Sequence, residues 1–87
     1  VVTEKKGEAA IMEIESWASR VASLVDKDVR VSVYYDGDTN TYVLRIARGN
    51  RILLFRLSDA QVQNQEREAE CERTLRRKIK DLSTRHF

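Results

Sequence analysis

The stretch from Tyr42 to Leu57 predicts its own pairing partner. Two apolar runs of alternating pattern flank Gly49-Asn50, a dipeptide suited to a two-residue hairpin turn. With that turn, Arg48 faces Arg51, Ala47 faces Ile52, Ile46 faces Leu53, Arg45 faces Leu54 and Leu44 faces Phe55. Tyr42, Leu44 and Ile46 then share a face with Leu53, Phe55 and Leu57, because alternate side chains point the same way and cross-strand partners share a face. A slip of one residue would turn that set toward water on one strand, so the register is well specified.

Upstream, Val29, Val31, Val33 and Tyr35 alternate with Arg30, Ser32 and Tyr34. The turn region from Asp36 to Thr41 carries Asp-Gly and Thr-Asn, both good loop dipeptides. Pairing Tyr35 with Tyr42 sets Val33 opposite Leu44 and Val31 opposite Ile46. The expectation is a three-stranded antiparallel meander with one oily face.

From Glu8 to Val25 the period is helical: Ala10, Ile14, Trp17, Val21 and Leu24, with Ile11, Ala18 and Val25, cover about half the cylinder, with Trp17 at the edge of that face. After the meander, Ser58-Asp59-Ala60-Gln61 is a capping box and predicts a second helix running to about Leu82. Its stripe is Ala60, Cys71, Leu75, Ile79 and Leu82, with Val62 and Ala69 on the opposite side. Gln61 to Glu70 has little to bury, which predicts that this segment leaves the body or meets a polar partner.

The predicted fold class is α+β: a two-layer sandwich ordered helix, three-stranded antiparallel meander, helix (αβββα), both helices on the Tyr42, Leu53 and Phe55 face. The expected organisation is a flexible lead-in at 1–7, a single domain at 8–82 and a flexible tail at 83–87. An 87-residue chain has room for one core, near the lower limit for folding without disulfides or metal, so self-association would help it. Its lone cysteine, Cys71, cannot form an internal bridge and fits a reducing, cytoplasmic setting. No apolar run approaches the ~20 residues of a membrane span. The chain opens on Val1 rather than methionine, as an excised or processed chain would, which leaves a removed leader open.

A formal charge of +2 argues for no partner class, but its distribution is uneven. Asp59 to Glu72 holds five acids and one base, and Arg73 to Phe87 six bases and one acid. A solvated helix suiting its own dipole explains this, with Glu72 and Arg76 at i,i+4 and Glu70 and Arg73 at i,i+3. The sharper reading pairs two copies antiparallel, so that the surface from Glu66 to Arg77 meets its complement. On the sheet's back face, Tyr34, Val43, Arg45, Ile52, Leu54 and Arg56 form either a half-wet face or a docking surface of the residue types interfaces favour.

Arg73, Arg76, Arg77 and Lys80 could instead contact phosphates, which makes nucleic acid the alternative partner. The order of elements resembles that of double-stranded-RNA-binding domains. Those domains carry a lysine cluster at the start of the second helix, where this chain has Asp59-Ala60-Gln61-Val62-Gln63, so the resemblance implies topology and no function.

Catalysis has little to stand on. The single histidine, His86, lies in the expected tail, and Cys71 falls on the core stripe between Glu70 and Glu72, which disfavours a thiolate. Asp36, Asp38 and Asn40 alternate as calcium ligands do, but Thr41 stands where the calcium loop needs glycine and Ala47 where it needs the closing carboxylate. The functional expectation is a non-enzymatic module without cofactor or metal, binding protein and its own copy, with no membrane partner.

Overall fold

A computed structural model describes residues 2–84. A single 3-10 turn, Gly7–Ala10, leads into α1 (Ile11–Val25), followed by β1 (Arg30–Asp36), β2 (Thr41–Arg48), β3 (Arg51–Ser58), α2 (Asp59–Gln63) and α3 (Gln65–Thr84). The strands form one antiparallel sheet in the order β1-β2-β3. Every expected pair is present, from Tyr35 opposite Tyr42 to Arg48 opposite Arg51. Gly49 holds the turn at φ +60°, the left-handed region at the first central position of a II′ hairpin, where a side chain would be strained.

Both long helices lie on the face of Tyr42, Leu44 and Ile46, so the αβββα sandwich stands as read from the sequence. Ile14, Trp17, Ala18 and Val21 from α1 meet Cys71, Leu75, Ile79 and Leu82 from α3 above that face. The buried stripe of α1 is narrower than its apolar pattern: Trp17 is fully packed, while Leu24 is 70% exposed. Both sit on the same margin of the helix, but Leu24 lies in its last turn, just before the chain turns away at Asp26.

The expected single second helix is two helices. The capping box forms: the Gln61 amide donates to Ser58 Oγ at 3.2 Å, and the Ser58 amide donates to Gln61 Oε1 at 2.8 Å. Asn64 then turns extended, at φ −95° and ψ 114°, and its side chain accepts from the Glu66 amide at 2.9 Å, which starts α3. This break resets the helical phase. Val62, expected to face outward, is completely buried, and Ala60, expected in the stripe, is exposed. The polar segment is accordingly shorter than expected: no side chain from Asn64 to Glu70 is buried.

The Val62 carbonyl accepts from the amides of Val2 at 3.0 Å and Thr3 at 3.4 Å. The part of the expected flexible lead-in that is described therefore lies against α2: Thr3 is buried and hydrogen-bonds Glu13, and the Gly7 amide donates to the Tyr42 hydroxyl at 2.7 Å. That hydroxyl donates in turn to Asp59 Oδ1 at 2.6 Å. At the other end Ser83 and Thr84 continue α3, and the rest of the expected tail, including Arg85 and His86, lies outside the described residues.

Candidate functional site

Alternation along the strands leaves one face of the sheet without a helix. On it stand Arg30, Ser32 and Tyr34 from β1, Val43, Arg45 and Ala47 from β2, and Ile52, Leu54 and Arg56 from β3. Tyr34 is 49% exposed, Ile52 53% and Leu54 55%. Val43 is not available to a partner. It is fully buried without belonging to the core, on the central strand between its register partners Tyr34 and Arg56.

Arg45 and Arg56, the arginines of this face expected to meet a partner, differ in freedom. Arg56 is latched to the β1–β2 turn, with Nη1 3.3 Å from Asp36 Oδ2 and 3.0 Å from Thr41 Oγ1. That contact above all holds the Asp36 carboxyl below the ordinary carboxylate range. Arg45 is exposed and makes no ion pair or side-chain hydrogen bond among the described residues.

Glu66, Glu70, Arg73, Arg76, Arg77 and Lys80 are all exposed on α3. Arg76 Nε sits 3.3 Å from Glu72 Oε2, the expected i,i+4 pair, whereas Glu70 and Arg73 form no ion pair among the described residues. These residues are not brought together with Tyr34, Arg45, Ile52, Leu54 and Arg56. The sheet separates the two sets, because α3 packs on the opposite face.

Sequence periodicity does not reveal the cleft where α3 meets the outer edge of β3. About 190 Å³ in volume, it is lined by Ile52, Leu53, Lys78, Asp81 and Leu82. Lys78 Nζ stands 5.9 Å from the centre of the Phe55 ring, and Arg51 Nη1 donates to the Leu82 carbonyl at 2.8 Å. Sequence reading could place Lys78 and Asp81 beside the core stripe, but not over a particular strand.

A second polar cluster escaped it too. Asp26, just after α1, accepts from Arg48 Nε at 2.5 Å, Ser83 Oγ at 2.6 Å and the Asp28 amide at 2.9 Å, which ties α1, β2 and α3 together. The bond from Ser83, followed by those from Asp28 and Arg48, holds its carboxyl down at about 2 against an ordinary 3.8. A lowered folded-state pKa means stability that is complete above the ordinary value and lost as pH falls toward the folded one. The wild-type melting temperature is therefore expected to drop from about pH 4 to about pH 2 more steeply than that of Asp26→Asn, whose amide does not titrate there. Equal slopes in circular-dichroism melts would overturn the assignment.

Asp36, Asn40, Cys71 and Tyr42 have structural surroundings that bear on reactivity. Asp36 Oδ1 accepts from the Asp38 amide at 3.0 Å and Asn40 Oδ1 from the Tyr35 hydroxyl at 3.0 Å, so two of the three side chains considered for calcium bind within the turn. No group of three or more potential metal ligands occurs among the described residues. Burial, and next the Glu70 charge, pushes the Cys71 thiol up, away from the thiolate a nucleophile needs. Burial and the bond to Asp59 push the Tyr42 hydroxyl up to about 12, which keeps it a neutral donor. No helix among the described residues is long and apolar enough to cross a membrane. No protein-family model, no curated protein and no solved structure matches this chain.

Proposed function

We propose that this chain is a non-enzymatic protein-interaction module that self-associates, with the open face of its sheet and the outer surface of α3 as the partner-facing regions. The carrying observation is the half-exposed set of Ile52, Leu54 and Tyr34, beside an Arg45 without a partner among the described residues. Aromatic, aliphatic and arginine side chains together are the composition that interface centres favour. The engaged state of Tyr42, Asp26 and Cys71 supports a non-catalytic reading. The lone buried thiol supports a reducing, cytoplasmic setting.

Sedimentation equilibrium over a wide concentration range tests the reading. The wild type is expected to associate, and Ile52→Ser with Leu54→Ser to weaken the association at least about tenfold, or ~1.4 kcal/mol. Because both side chains are half in water already, the monomer should stay folded, read as an unchanged far-ultraviolet circular dichroism. A strictly monomeric wild type would overturn self-association.

The alternative, a nucleic-acid-binding module, is favoured by one observation: Arg73, Arg77 and Lys80 are exposed and make no ion pair among the described residues. It requires binding whose affinity falls steeply with salt, with a log-log slope of several units.

A further inference from the structure

We infer that the self-contact is made by the outer edge of β3, which pairs antiparallel with β3 of a second copy across a two-fold axis beside Leu54 and joins two sheets into one of six strands. The inference rests on the self-association proposed above and names the surface responsible. Across a two-residue turn the closing pair, Arg48 and Arg51, exchanges both backbone bonds, so Arg51, Leu53, Phe55 and Leu57 spend theirs on β2. The N–H and C=O groups of Ile52, Leu54 and Arg56 therefore point away from the sheet. Among the described residues β3 has no strand partner on that side. An eight-residue edge with Ile52-Leu53-Leu54-Phe55 at its centre is a template for another strand.

The second copy is the occupant because the edge complements itself. With Leu54 opposite Leu54 of the second copy, Ile52 meets Arg56 and Leu53 meets Phe55, so apolar side chains abut on both faces and no like charges face each other. About six backbone hydrogen bonds would form.

The same axis makes the charges of α3 match. Lys78 and Asp81 line the cleft at the β3 edge, so they mark the side of α3 turned toward the joint. Counting back at helical spacing, Thr74, Glu70 and Arg67 continue that stripe. Lys78 and Asp81 flank Ile52 and Leu53, with Lys78 Nζ reaching on to Phe55, and α3 runs opposite to β3, since Leu82 lies at Arg51. From Leu82 at Arg51, three strand residues, ~10 Å, correspond to about six to seven helical residues back, which brings the level of Leu54 to the Thr74-Leu75 step. A two-fold there sets the two α3 helices antiparallel, with Glu70 opposite Lys78 and Arg67 opposite Asp81 of the second copy, each contact made twice.

The test is sedimentation equilibrium of the full chain at low and high salt, on the wild type, Leu54→Pro, Lys78→Glu, and the exchange Glu70→Lys with Lys78→Glu. Proline at Leu54 removes an N–H that points out of the sheet, so the monomer should keep its circular dichroism while the dimer is lost. Lys78→Glu is expected to weaken the dimer about tenfold at low salt, and the exchange to restore it, since each contact again joins opposite charges. Restoration also separates the effect from loss of the cation over Phe55, which the exchange does not replace. A dimer indifferent to Leu54→Pro, or an exchange that fails to rescue Lys78→Glu, overturns this surface and leaves self-association standing. A monomeric wild type overturns both.

Discussion

Truncating Leu75 to alanine is expected to cost the fold about 3–4 kcal/mol, read as a fall in the urea midpoint without a change in slope. Leu75 is completely buried, midway along the stripe of Cys71, Ile79 and Leu82 that seats α3 against α1 and the sheet. A domain of this size has on the order of 4–13 kcal/mol in total, so the loss would consume much of its stability. Met12→Ala is the matched control. That side chain is 79% exposed on α1, and its removal should change stability by less than about 0.5 kcal/mol. An unchanged midpoint in Leu75→Ala would mean that α3 does not seat this side chain in the core, and the two-layer arrangement would fall with it.

The sheet was legible because three independent signals agree there. The alternation of β2 and β3, the Gly49-Asn50 turn and the need to bury one face admit a single register, and that register is found. Helix α1 was legible in its period but not in its limits. Apolar pattern says which side faces inward, and only the extent of the neighbouring layer decides that Trp17 is covered and Leu24 is not. Val43 makes the same point on the sheet: its sequence position puts it on the open face, and its place on the central strand closes it off.

Contacts between residues far apart in the chain carry no period at all. Nothing in the order of residues says that Asp26 will receive Arg48 and Ser83, or that the Tyr42 hydroxyl will join Gly7 to Asp59. The candidate surfaces were partly legible for the same reason. Exposure of Arg73, Arg76, Arg77 and Lys80 follows from helical phase, and exposure of Ile52 and Leu54 from strand phase. That Lys78 and Asp81 flank the β3 edge follows from neither, because it depends on how α3 is seated over the sheet.

Asn64 tests where period reading ends. Counted along one uninterrupted helix, Val62 and Ala69 fall together on the side away from Cys71, Leu75 and Ile79, and an aspartate should be tolerated equally at either. The extended backbone of Asn64 rotates α2 relative to α3, so that Val62 enters the core while Ala69 stays in water. Val62→Asp would place a carboxylate at a site with no accessible surface, next to the carbonyl that holds Val2 and Thr3. Such a group must lose its charge or expel the segment, and the expected cost is about 3–5 kcal/mol, with residues 2–6 released. Ala69→Asp places an acid at an exposed position of α3 and should cost no more than about 1 kcal/mol, chiefly the helix-propensity difference between alanine and aspartate. Urea unfolding measures both, and hydrogen exchange at the Val2 and Thr3 amides reports whether the segment has come away. Equal effects at the two positions would restore the single continuous helix and remove the anchor that holds the N-terminal segment to α2.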